Sequence, residues 1–136
     1  VTIIPVNLML KDGLSGPFGT ILELTKSFQS PAFIYFWLTG LFSAFLDNAP
    51  TYLLFFELSG GDPQNLMTSQ SSVLMAISLG SVFMGAMTYI GNAPNLMVRS
   101  LAKQSGILMP GFLGYIVWSG LILLPLFLGV SLWLFL

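Results

Sequence analysis

The 136-residue sequence is 55% hydrophobic and 7% charged, with a net charge of −1 and a mean hydropathy of +0.89. Soluble domains carry roughly 25% charged residues, so this chain has too few polar groups to coat a water-exposed globule and too many apolar ones to stay disordered. The charge balance gives no basic surface for nucleic acid, and with no cysteine and no histidine, disulfides, thiolate chemistry and the usual zinc or haem ligation are excluded. The composition is that of a membrane protein.

In chain order, the opening Val1-Thr2-Ile3-Ile4-Pro5 reads as the tail of an apolar segment begun upstream. The chain is therefore expected to be a fragment that transports nothing alone. Residues 1–30 comprise that tail and a stretch, 17–27, in which Phe18, Ile21, Leu22 and Leu24 stand beside Glu23 and Lys26. This pattern suits either a helix lying along the membrane surface or a loop. Pro31 to Leu46 is a 16-residue apolar run ending in Asp47-Asn48-Ala49-Pro50. Thr51 to Leu58 is too short to complete a crossing of about 30 Å and meets the turn Ser59-Gly60-Gly61-Asp62-Pro63. Residues 31–58 are thus expected to form a re-entrant helical hairpin, followed by a loop over 59–66. Residues 67–104 are expected to make one crossing, a discontinuous helix broken at 91–95 by Gly91-Asn92-Ala93-Pro94-Asn95. From Ile107 to Leu136 there are 30 uncharged residues, about 45 Å as a helix, which predicts a final transmembrane helix over 107–136. Pro110-Gly111 marks its start, and Pro125 predicts a kink.

The two interruptions match. Both contain Asn-Ala-Pro, followed by Thr51 in one case and Asn95 in the other. Pro50 and Pro94 remove a backbone donor and block the preceding turn, so each helix should stop and restart there. The runs before the breaks are about 24 and 27 Å long at helical rise, which would bring both breaks to similar depth. Lipid cannot satisfy the freed backbone groups, so such breaks persist only within protein or beside water. Asp47 at that depth reads either as an ion or proton carrier or as the cap of the restarting helix. Asn48, Asn92 and Asn95 offer neutral amide oxygens, and the helix ends before each break offer free carbonyls that could coordinate Na⁺, with hydroxyls from Ser43, Thr51 and Thr88. The alternative is that these groups only satisfy the broken backbone. Arg99 and Lys103 flank the crossings and predict a cytoplasmic position for that end.

The stretches Ser43-Ala44-Phe45-Leu46-Asp47-Asn48-Ala49-Pro50-Thr51 and Gly85-Ala86-Met87-Thr88-Tyr89-Ile90-Gly91-Asn92-Ala93-Pro94-Asn95 resemble the ion transporter superfamily. The closest likeness is to its citrate-transporter and NhaD-type sodium/proton antiporter branch. The resemblance implies an all-α membrane protein in which residues 31–58 and 67–104 are the hairpin and broken helix of a C-terminal inverted repeat. Carboxylate carriers of the superfamily have Ser-Asn-Thr at the hairpin tip and Gly-Thr-Pro-Pro-Asn in the broken helix. Asn48, Gly91, Pro94 and Asn95 match; Asp47 stands for Ser, Ala49 for Thr and Asn92-Ala93 for Thr-Pro.

The expectation drawn from both lines is a secondary transporter, not an enzyme, exchanging Na⁺ for H⁺ through Asp47. Its site would comprise Asp47, Asn48, Thr51, Thr88, Gly91, Asn92 and Asn95, with Na⁺ held by Asn48 and Asn95. The alternatives are a Na⁺-coupled citrate or dicarboxylate carrier and a structural membrane subunit with no transport of its own. Expected partners are the bilayer, an upstream N-terminal repeat of the same protein, a second copy in a homodimer, and a small ion or carboxylate as substrate; the expected location is the bacterial inner membrane. No cofactor is expected beyond the coupling ions Na⁺ and H⁺.

Overall fold

The computed structural model describes residues 30–136 together with Gly19 and Glu23. The surface helix considered for 17–27 lies outside the described residues apart from Gly19 and Glu23, both of which are helical. All regular structure among the described residues is helical: α1 (Pro31–Ser43), α2 (Asn48–Leu58), α3 (Pro63–Thr68), α4 (Ser71–Phe83), a 3₁₀ turn (Met84–Met87), α5 (Ala93–Gln104) and α6 (Phe112–Phe135). The short α3 occupies part of the segment expected as a loop. It begins with Pro63 in its first turn, where no donor is needed, and Asp62 caps it by accepting from Gln64 N at 3.0 Å. The last helix starts at Phe112 rather than 107, because Pro110 removes an amide donor and Gly111 takes an extended N-cap conformation.

Helices α1 and α4 have 13 residues each, about 20 Å at helical rise, and lie side by side in the same direction. Their contact is close because it is made through glycines. A Cβ on Gly80 would stand 2.5 Å from the Phe36 carbonyl oxygen, and one on Gly40 would stand 2.0 Å from Met84 Sδ. Between helices in lipid there is no hydrophobic drive, so association rests on such close packing. Helix α2 doubles back along α1, with Phe55 edge-on to Phe42 and Tyr35 at centroid distances of 5.5 and 6.5 Å. The turn beyond α2 needs the positive φ of Gly60 and Gly61, which only glycine adopts at no steric cost.

Helix α6 is the one described helix long and apolar enough to cross a membrane, and it runs antiparallel to α1 and α4. Its contacts form a stripe: Ser119 donates to the Met87 carbonyl, Phe127 stacks on Phe83, Ser131 accepts from Trp37 Nε1, and Phe135 packs on Phe36. The remaining faces present Leu113, Val117, Trp118, Leu121, Ile122 and Trp133 outward. A continuous apolar surface of that kind marks a contact face for lipid or protein. This arrangement sorts the molecule into two ends. At one, the starts of α1 and α4 meet the ends of α2 and α6 around a cavity of about 700 Å³. At the other, the two helix breaks meet.

Candidate functional site

The first break is short. Helix α1 ends at Ser43, the chain turns, and extended Asp47 starts α2 with its carboxylate accepting from Asn48 N at 2.8 Å. Pro50 falls in the first turn of α2, where amide donors are free in any case. The second break is longer and begins earlier than the Gly91 expected from the sequence. After Phe83 the helix tightens to the 3₁₀ turn, Thr88 becomes extended, and α5 restarts only at Ala93, after extended Asn92. Space explains the early departure: a Cβ on Gly85 would stand 2.3 Å from the end of the Asn48 amide.

Asn48 joins the two breaks. Its hydrogen-bond network fixes the amide orientation: Nδ2 donates to the carbonyls of Ser81 at 2.8 Å and Gly91 at 3.1 Å, and to Ser43 Oγ at 2.9 Å. Ser43 in turn donates to the Ser81 carbonyl. Thr88 donates its hydroxyl to the Ala44 carbonyl at the end of α1 and accepts from Gly91 N at 2.8 Å. Asn95 turns back into its own break, with Nδ2 donating to the carbonyls of Thr88 at 3.0 Å and Gly85 at 3.3 Å. Gly91 is wedged so closely that a Cβ there would stand 2.7 Å from the carbonyl oxygens of Gly85 and Ser43 and 2.9 Å from that of Ala44. Backbone groups that lipid would leave unpaired, at several kcal/mol each, are thereby matched across the joint.

Of the residues singled out from the sequence, Ser43, Asn48, Thr88, Gly91 and Asn95 come together here. Thr51 is buried one turn into α2, and its hydroxyl donates to the Asp47 carbonyl at 3.0 Å. Pro94 lies in the first turn of α5. Asn92 is the N-cap residue of α5 and makes no side-chain capping bond. Asp47 is exposed at the start of α2.

Several participants were not legible beforehand. Ser81 supplies a carbonyl one turn before the break. Tyr115 donates to the Ala86 carbonyl at 3.1 Å and Ser119 to that of Met87 at 2.7 Å, so the final helix caps the carbonyls of the 3₁₀ turn. Tyr89, buried in the second break, stacks on Tyr115 at 4.1 Å and carries the Arg99 guanidinium over its ring at 4.5 Å. The only advance signal was tyrosine and serine within otherwise apolar runs.

Chemically, the joint holds two helix C-termini, with partial negative charge, and two helix N-termini, with partial positive charge. The first pair suits a cation, the second a carboxylate. Among the described residues no three acidic side chains converge on one point, so a cation at the joint would be held by carbonyl, hydroxyl and amide oxygens. A groove of about 590 Å³, lined by Asn48, Ala49, Tyr52, Leu53, Ser78, Ser81 and Val82, opens directly beside the joint.

Comparison with curated proteins gives no match, and comparison with solved structures gives none either. A family model does match: that of CitMHS_2, described as "Putative citrate transport", over residues 1–136. With an apolar membrane-length helix and two helix breaks knitted into one joint, the chain belongs to this transporter family.

Proposed function

We propose that the protein is a secondary carrier of citrate or a related carboxylate, coupled to Na⁺, with the joint of the two breaks as its site. The observation that carries this reading is the Asn48 amide, which spends its donors on both breaks and makes one site of them. Helices α1 and α2 act as a re-entrant hairpin, and α4 with α5 as a broken crossing, in one repeat of an inverted-repeat carrier. Amides at the start of α5, where no side chain caps the helix, receive a substrate carboxylate; at the start of α2 the Asp47 carboxylate already accepts from Asn48 N. The carbonyls at the ends of α1 and the 3₁₀ turn receive Na⁺ on the lone pairs left over from their bonds to Thr88, Tyr115 and Ser119. The family assignment favours a carboxylate substrate over Na⁺/H⁺ exchange, and so does the position of Asp47, exposed where it caps α2.

Proteoliposomes containing the chain together with its partner repeat should accumulate radiolabelled citrate when an inward Na⁺ gradient is imposed, and a K⁺ gradient should not replace it. Asn48→Ala and Asn95→Ala should abolish uptake and also the rise in thermal stability that Na⁺ confers by mass action. Asp47→Asn should keep citrate uptake. Na⁺-driven proton efflux without citrate, lost in Asp47→Asn, would replace this reading by the antiporter one. Absence of both activities from folded protein would leave the structural-subunit reading.

A further inference from the structure

Helix α5 buries no residue, yet one of its side chains is held in place. Arg99 lies over the ring of Tyr89 at 4.5 Å, and Tyr89 is itself stacked with Tyr115 and held through its own hydroxyl, which donates to the Pro110 carbonyl at 3.2 Å. A cation over an aromatic face uses the plane of the guanidinium. The N–H donors around its edge stay free for other partners, and a fork of that geometry matches a carboxylate. Among the described residues no carboxylate pairs with Arg99 and no acceptor takes its donors, in contrast to the amides of Asn48 and Asn95. Arg99 is half-buried, and among the described residues its charge is partnered by the Tyr89 ring.

Position gives this free fork a purpose. Arg99 follows Asn95 by four residues, so both stand on one face of α5, about 6 Å apart along the axis. Helical side chains lean toward the N-terminus of their helix, and Arg99 does so onto Tyr89, toward the joint. Lys103 continues the same face. We infer that Arg99, presented on the Tyr89–Tyr115 stack, binds a second carboxylate of a polycarboxylate substrate whose first carboxylate rests at the joint. This rests on the carboxylate-carrier reading. It makes Arg99 the residue that distinguishes di- and tricarboxylates from monocarboxylates.

The test is uptake kinetics in proteoliposomes holding the chain together with its partner repeat, with citrate, succinate and lactate as probes. Arg99→Gln should raise the KM for citrate and succinate about tenfold or more, the loss expected for a charge-assisted hydrogen-bonded pair, with Vmax within about twofold. Arg99→Lys should recover part of the citrate affinity. Any uptake of lactate should keep its KM. An unchanged citrate KM in Arg99→Gln overturns the inference and leaves the carrier reading standing; a fall in Vmax alone, equal for all probes, does the same and reduces Arg99 to a structural tie on Tyr89. Failure of the wild type to take up any carboxylate removes the carrier reading, and this inference with it. Where Arg99→Gln yields no folded protein, phenylglyoxal labelling of the wild type, read by mass spectrometry, takes its place. Citrate should shield Arg99 from the reagent while chloride at equal ionic strength does not, and labelling indifferent to citrate overturns the inference.

Discussion

The two breaks carry the same three residues and use them differently. In the first, Asn48 of Asn-Ala-Pro leaves its own helix and bonds to Ser81 and Gly91 across the joint. In the second, Asn92 of the same motif makes no capping bond, and the inward-turned amide is that of Asn95, beyond the proline. The residue before the motif differs as well: Asp47 is exposed, whereas Gly91 is buried against three carbonyls. The lesson is that Asn-Ala-Pro specifies where a helix restarts, and burial specifies which polar side chain the restart employs. The first break is a tip that reaches out. The second is a socket that receives it.

Gly91→Ala attacks the socket and should have the largest effect. Its Cβ meets backbone oxygens that cannot swing aside, so a loss of about 3 kcal/mol or more is expected, seen as a collapse of monodisperse protein in detergent. Gly111→Ala, where a Cβ meets nothing within 4 Å, should cost no more than about 1 kcal/mol, the N-cap preference of glycine over alanine. Equal behaviour of the two would remove the socket from the description.

Next comes the motif itself. Asn48→Ala leaves the Ser81 and Gly91 carbonyls without the amide and should cost about 2–3 kcal/mol, while Asn92→Ala should cost less than about 1 kcal/mol. Thermal unfolding of the two variants side by side measures the asymmetry, and equal losses would abolish it.

Thr88→Val keeps the shape of the side chain and removes the link to Ala44 and the acceptor for Gly91 N, for which about 1–2 kcal/mol is expected. Smallest of all should be Asp47→Ser, which retains a capping oxygen and drops the charge: the unfolding midpoint should not move. A large shift there would mean that the carboxylate is bound to more than the first amide of α2.

How much of this was legible follows from the same residues. The two helix restarts could be read from Pro50 and Pro94, because proline acts on its own backbone and needs no tertiary context; the short α3 that begins at Pro63 could not, its segment being expected as a loop. The early start of the second break at Met84 could not be read, since Gly85 gives way to a side chain that arrives from another helix. The contribution of α6 was hidden for a similar reason: Tyr115 and Ser119 are ordinary residues of an apolar helix until the carbonyls of Ala86 and Met87 are set opposite them. Arg99 was visible as a charge and read only for its orienting effect, because its perch on Tyr89 depends on how the break folds.

The sequence by itself determined that the chain belongs in a membrane, that its helices are interrupted twice by one motif, and that both interruptions are polar. These are consequences of composition and local sterics. Tertiary structure alone decided that the interruptions meet, that Asn48 rather than Asn92 spans them, and that Asp47 caps a helix end in an exposed position. Those outcomes depend on close approach between α1 and α4 through Gly40 and Gly80, and on which unpaired carbonyls lie within about 3 Å of a given donor. Such distances exist only once the chain has packed.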